Sequence, residues 1–133
     1  MDFGCGAGND GLLYANLGFQ VTFSDVDGVG LDFIRWRLAK RHIASCSVIP
    51  SSVLDFGEFD FVFAIDCLEH IPDAEVYFEK LDRGLQPNGL MYISFNSSGD
   101  GMDCFSAQDF DAKIKPVLNS GYVLLEEGLW RKN

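Results

Sequence analysis

The chain has 133 residues, the size of one domain, and 47% of them are hydrophobic, with twelve Phe in all. That is enough apolar material for a core, which excludes a disordered tail. The net charge is −10, from 20 acidic and 10 basic residues, and such a surface repels a phosphate backbone, so DNA and RNA are disfavoured as partners.

No apolar run approaches the ~18–20 residues of a membrane span. The N-terminus lacks the basic region, apolar stretch and cleavage site of a signal peptide. The four cysteines, Cys5, Cys46, Cys67 and Cys104, form no CxxC pair. They are expected to be reduced thiols, not a disulfide frame or a zinc site. The chain is therefore expected to be cytoplasmic, with no membrane partner and no metal.

Strand and helix alternate from end to end, which predicts a single domain over residues 1–133 with a parallel sheet covered by helices. Residues 1–3 close a first strand. Residues 8–17 form a short helix ended by Gly18. Residues 19–24 are a second strand, Val21 and Phe23 alternating against Thr22. Residues 29–41 form a helix whose apolar residues Val29, Phe33, Trp36 and Ile34, Leu38 fall at three- and four-residue spacing. The basic run at 35–42 on that helix is expected to be a solvated face, not a nucleic-acid patch.

Residues 46–49 are a third strand and residues 59–65 a fourth. The fourth is almost continuously apolar, as a central strand buried on both faces should be. Pro72 and Asp73 open a helix that runs through Leu85, with Asp73 as N-cap. Pro87-Asn88-Gly89 is a turn, residues 90–95 a fifth strand, and residues 96–104 a polar loop. Ser106 with Asp109 resembles a capping box, opening a helix to about Asn119 that Pro116 must bend or shorten. Residues 122–126 are a sixth strand, and residues 129–132 begin a seventh.

In an open parallel sheet, ligands bind beyond the carboxyl ends of the strands. Those ends are residues 4–8, 25–27, 51–52, 66–70 and 96–104. Gly6-Ala7-Gly8-Asn9-Asp10-Gly11 fits G-x-G-x-x-G, a spacing that also describes dinucleotide sites. A pyrophosphate would sit on the N–H groups and positive dipole of the helix start. Asp10 in that first turn and Asp2 at the strand end would repel it. A sulfonium amino acid is positive at sulfur and ammonium, so nearby carboxylates suit it. Asp25, closing the second strand, can accept hydrogen bonds from both hydroxyls of a ribose. It marks a nucleoside without saying which; its structural alternative is a cap for the helix after Asp27. Cys5 is expected to be a small buried filler, not a nucleophile.

The run Asp2-Phe3-Gly4-Cys5-Gly6-Ala7-Gly8, the acid Asp25, Phe59-Asp60-Phe61-Val62, the segment from Asp66 through Leu68-Glu69-His70 to Asp73, and Leu85-Gln86-Pro87-Asn88-Gly89-Leu90 together resemble the class I S-adenosylmethionine-dependent methyltransferase family. The resemblance covers nearly the whole chain. It implies an α/β, Rossmann-like, doubly wound and mostly parallel sheet of order 3-2-1-4-5-7-6, or one lacking part of its terminal strands, with the last strand antiparallel. It implies S-adenosyl-L-methionine as cofactor and S-adenosyl-L-homocysteine as product. Gly4, Gly6 and Gly8 would line the methionine and ribose, with Asp25 on the ribose and Asp2, Cys5, Val26 and Asp66 beside them.

Two departures stand out. Ser51 and Ser52 hold the place where many relatives carry an acid near the adenine, and Asp55 is the substitute at hand. The glycine run also begins at residue 2, so the first strand is cut to about three residues, and the C-terminus leaves little room for a full seventh strand. The domain is expected to be incomplete.

Methyl transfer from a sulfonium is an in-line displacement in which the protein mainly aligns the partners. A base is needed only when the nucleophile arrives protonated. His70 is the candidate base, although the resemblance weighs towards a supporting role in the cofactor loop. Asp66 would hold an ammonium or the acceptor, or else cap the next segment. Glu69 is expected to start a helix, and His42 to sit at a helix C-terminus that favours its charge. The expected partner is a small-molecule methyl acceptor. An incomplete sheet with exposed apolar surface would also favour a homodimer. The rivals are a non-catalytic cofactor-binding or interaction module and a nicotinamide-dependent oxidoreductase.

Overall fold

A computed structural model describes residues 1–53, 57–96 and 103–133. Asp55 and residues 97–102 of the expected polar loop lie outside the described residues. The chain divides into two compact units, Met1–Leu54 and Asp55–Asn133.

The first unit holds β1 (Asp2–Phe3), α1 (Asn9–Asn16), β2 (Thr22–Asp25), α2 (Val29–Lys40) and β3 (Ser47–Pro50). Its strands lie in the order β3-β2-β1, all parallel. Asp2 pairs with Phe23, Phe3 with Ser24, and Asp25 with Pro50. The loop after β1 and the loop after β2 therefore leave the sheet at the same edge.

Leu12 and Ala15 of α1, Val21 and Phe23, and Leu31, Ile34 and Leu38 of α2 close the core of this unit with Cys5. One expectation for α2 is corrected here. Ile34 and Leu38 are buried together with Leu31, but Val29, Phe33 and Trp36 are 85%, 46% and 55% exposed. At about 100° per residue, three- and four-residue spacing describes two different faces of this helix. Only one of them faces the sheet. The second strand also starts later than expected. Gly18, at φ 93°, turns the chain, and Phe19 is spent on an edge-to-face contact with Tyr14 at 6.0 Å.

The second unit holds β4 (Phe59–Ile65), a 3-10 turn at Leu68–His70, α3 (Ala74–Gly84), β5 (Leu85–Ser94), α4 (Ala107–Asp109), a π turn at Phe110–Ile114, α5 (Lys115–Gly121), β6 (Tyr122–Glu126) and β7 (Leu129–Lys132). Its strands lie in the order β4-β5-β7-β6. β4 and β5 are parallel, and β7 is antiparallel to both β5 and β6. Each unit thus carries its part of the expected order, and the fold is the Rossmann-like α/β fold of mostly parallel strands.

Three local expectations are refined. Pro87-Asn88-Gly89 does not separate helix from strand; it lies inside β5. The ladder jumps there from Phe59↔Leu85 to Phe61↔Leu90, and Asn88 takes φ 64°. Turn-forming residues have made an irregularity within a strand rather than a break before it. Pro116, which lacks an N–H, lies in the first turn of α5 just after the π turn. The helix is widened at that point instead of ended. The seventh strand is complete enough to pair on both sides, since four residues suffice to bond β5 and β6.

The capping box forms as expected: Ser106 Oγ accepts the Asp109 N–H at 3.1 Å, and Asp109 Oδ2 accepts the Ser106 N–H at 3.3 Å. Asp73 occupies the N-cap of α3 but makes no side-chain cap bond. Among the described residues no helix is long and apolar enough to cross a membrane.

Candidate cofactor site

The glycine run is built by its backbone. Gly4, Gly6 and Gly8 take φ of 70°, 50° and 72°, a left-handed region in which a side chain costs about 1 kcal/mol or more. The Gly4 and Cys5 N–H groups donate to the Ser24 carbonyl at 2.8 and 3.2 Å, and the Gly8 N–H to the Cys5 carbonyl at 2.6 Å. The chain is thereby folded tightly back along β2 before α1 begins.

The third glycine of the motif has a different task. A methyl group on Gly11 would lie 2.3 Å from the Phe23 ring and 2.6 Å from Asp2 Oδ2. Only hydrogen lets α1 approach β2 this closely. Space above Gly6 is open instead: among the described residues, and apart from its own chain neighbours, no heavy atom lies within 4 Å of where its Cβ would stand.

Two carboxylates fasten this loop. Asp25 Oδ2 accepts the Gly6 N–H at 2.6 Å, and Oδ1 accepts the Val26 N–H at 2.7 Å. Each oxygen keeps a second lone pair for an outside donor. Asp2 is buried at 5% exposure and accepts the Gly11 N–H at 3.0 Å. Burial pushes its carboxyl up to about 6, against the lowering effect of the Gly11 bond, with Asp10 adding like-charge repulsion. The Cys5 thiol is pushed up to about 12, mainly by burial and then by Asp2 and Asp25. It is a buried filler and not an available nucleophile. Asp2, Gly4, Cys5, Gly6, Gly8, Asp25 and Val26 are thus assembled within the first unit.

Asp66 and His70 belong to the second unit. Asp66 follows β4 in a left-handed conformation, φ 46°. Its N–H donates to the Ser94 carbonyl at 3.1 Å, and its Oδ1 accepts the Ser94 hydroxyl at 2.5 Å. The ends of β4 and β5 are clasped by this pair. Glu69 is completely buried in the 3-10 turn, not displayed at a helix start. Its Oε1 accepts the Asn96 N–H at 3.2 Å, and its carbonyl accepts the Cys104 and Phe105 N–H groups at 2.7 and 3.0 Å. Glu69 therefore anchors both ends of the segment after β5. His70, in the same turn, is exposed, and its N–H donates to the Cys67 carbonyl at 3.1 Å.

Residues 1–91 match the family model of a methyltransferase domain. The chain belongs to the class I S-adenosylmethionine-dependent methyltransferase family. It is 29% identical over 108 residues to phosphoethanolamine N-methyltransferase 2 of Caenorhabditis elegans, covering 76% of this chain and 24% of that protein. It is 33% identical over 98 residues to a ubiquinone biosynthesis O-methyltransferase of Bradyrhizobium diazoefficiens, covering 71% of this chain and 38% of that one. The chain therefore spans well under half the length of these relatives. The structure of PKMT2 from Rickettsia typhi in complex with AdoHcy superimposes with a TM-score of 0.65 at 22% identity, over 73% of this chain and 20% of that one.

One residue of the basic run carries more than its sequence suggests. Arg37, within the basic run of α2, donates to the Ala7 carbonyl and, at 2.8 Å, to Asn9 Oδ1. Arg35 pairs with Asp32 at 2.8 Å, and Arg41 donates to the Arg37 carbonyl at 3.0 Å. The run is solvated, as expected, but Arg37 reaches the glycine loop. No spacing rule signals a contact between residues thirty positions apart. No disulfide joins Cys5, Cys46, Cys67 or Cys104.

Proposed function

We propose that the chain binds S-adenosyl-L-methionine on the glycine loop of its first unit and transfers the methyl group to a small-molecule acceptor. The observation that carries this is the Asp25 carboxylate. It is locked onto Gly6 with acceptor capacity to spare, beside open space and the acids Asp2 and Asp10. Such a cradle suits a ribose diol joined to a cationic amino acid and is poor for pyrophosphate. S-adenosyl-L-methionine would supply a methyl group already activated by its sulfonium charge, and the loop residues would hold it for in-line transfer to the acceptor.

Gly4, Gly6, Gly8, Cys5 and Val26 would line this ligand, Asp25 would bind its ribose, and Asp2 would answer its ammonium. In the second unit, Asp66 and His70 are the polar groups offered to an acceptor, and His70 would act as a base only for an acceptor that arrives protonated. The names of the two relatives, a phosphoethanolamine N-methyltransferase and a ubiquinone biosynthesis O-methyltransferase, support a small-molecule acceptor, as does the net charge of −10. Cysteines joined by no disulfide support a reducing, cytoplasmic setting.

Calorimetry with S-adenosyl-L-homocysteine and with NAD tests this function. Saturable binding of the first alone is expected. Tight binding of NAD without S-adenosyl-L-homocysteine would reject it in favour of an oxidoreductase. Binding without methyl transfer to phosphoethanolamine or to an intermediate of ubiquinone biosynthesis would favour a non-catalytic module.

A further inference from the structure

The glycine loop is held from two directions. From β2, Asp25 takes the Gly6 N–H. From α2, Arg37 takes the carbonyl of the very next residue, Ala7, and the side chain of Asn9, the first residue of α1. The peptide between Gly6 and Gly8, both left-handed, is thus clamped by a carboxylate at one end and a guanidinium at the other.

The guanidinium is itself held in place. It lies 5.5 Å from the centroid of Phe33, one turn earlier on α2. Phe33 stacks on Trp36 at 5.7 Å with 12° between planes, and Lys40 covers Trp36 at 5.8 Å. This explains why two large aromatics stay outside the core: they form the bed on which a long flexible cation is ordered. Both bonds leave from one guanidinium nitrogen, Nη1, whose two in-plane N–H groups meet a carbonyl and an amide oxygen while the planar face rests on a ring, a combination lysine lacks.

We propose that Arg37, seated on Phe33, is a positioning residue for the cofactor loop, setting the Gly6–Gly8 peptide in its ligand-receiving conformation. The inference rests on the function proposed above, namely that this loop receives S-adenosyl-L-methionine.

The test is the affinity of the whole chain for S-adenosyl-L-homocysteine, measured beside its melting temperature. Arg37→Ala is expected to weaken binding about 5- to 30-fold, the worth of charge-assisted hydrogen bonds, with a small change in melting because the group is partly exposed. Arg37→Lys is expected to fall between, and millimolar ethylguanidinium to restore part of the loss in Arg37→Ala. Amide exchange at Gly6 and Gly8 should quicken in the same order. Phe33→Leu keeps the arginine and removes the ring, and is expected to cost about 2- to 5-fold; it carries the test if Arg37→Ala fails to fold. Arg37→Ala or Phe33→Leu binding as tightly as the unaltered chain, or a loss shared by Arg37→Ala and its ethylguanidinium-supplemented form, would overturn the inference. Failure of the unaltered chain to bind S-adenosyl-L-homocysteine would instead overturn the function, and this inference with it.

Discussion

The loop after β1 and the segment after β4 solve different problems with different materials. The first is shaped by backbone. Three left-handed glycines set its path, and its fasteners meet mostly main-chain groups: Asp25 on Gly6, Asp2 on Gly11, Arg37 on Ala7. The second is shaped by side chains. Asp66 takes a left-handed conformation without being glycine and is held by the Ser94 hydroxyl, while buried Glu69 ties down the residues beyond β5. A backbone-built loop tolerates few residue types, because its left-handed positions favour glycine even where space is open. A side-chain clasp is defined by pairs, and either partner could be exchanged along with the other.

The largest expected effect tests how tightly the first loop is packed. Gly11→Ala must push its methyl into the Phe23 ring and Asp2. Overpacking of this kind costs about 3 kcal/mol, visible as a lower denaturation midpoint with an unchanged slope. A variant as stable as the parent would mean that α1 is free to move off the sheet.

Next comes the pH response of Asp2, a change of up to about 3 kcal/mol. Its carboxyl releases its proton near the ordinary value of 3.8 when unfolded but near 6 when folded. Between those values the native chain binds more protons than the unfolded one. The stabilisation is full below 3.8 and is lost as pH rises through 6. Asp2→Asn does not titrate, so its stability should fall less from pH 4 to pH 7 than that of the unaltered chain. Parallel profiles would remove Asp2 as the cause.

A comparable effect on binding is expected from Asp25→Ala, about 1.5–3 kcal/mol or roughly 10- to 150-fold in affinity for S-adenosyl-L-homocysteine. An unchanged dissociation constant would end the ribose assignment. The smallest effect should come from the second region. Ser94→Ala removes one hydroxyl from Asp66 and should cost about 0.5–1.5 kcal/mol, read as a melting shift of a few degrees. A larger loss would show that the clasp, and not the sheet beneath it, holds the ends of β4 and β5 together.

Much of this protein was legible from residue order. Strand and helix periodicity placed β4 and β6 to the residue, the Ser106–Asp109 box marked the start of its helix, and the glycine spacing with Asp25 located the loop at the sheet edge. These signals are mostly local, written within a few positions of one another, and the glycine signal is legible because a left-handed backbone and a close helix–strand approach favour glycine. What the tertiary structure decided is the choice among equivalent local patterns. Spacing could not say which of two faces of α2 meets the sheet, since both obey helical periodicity; burial of Leu31, Ile34 and Leu38 settled that. Nor could it turn Arg37 towards Ala7, Glu69 inward to Asn96, or Asp66 onto Ser94. Such contacts join residues 27 to 30 positions apart. Their partners are chosen by how the strands align, which no single stretch of the chain encodes.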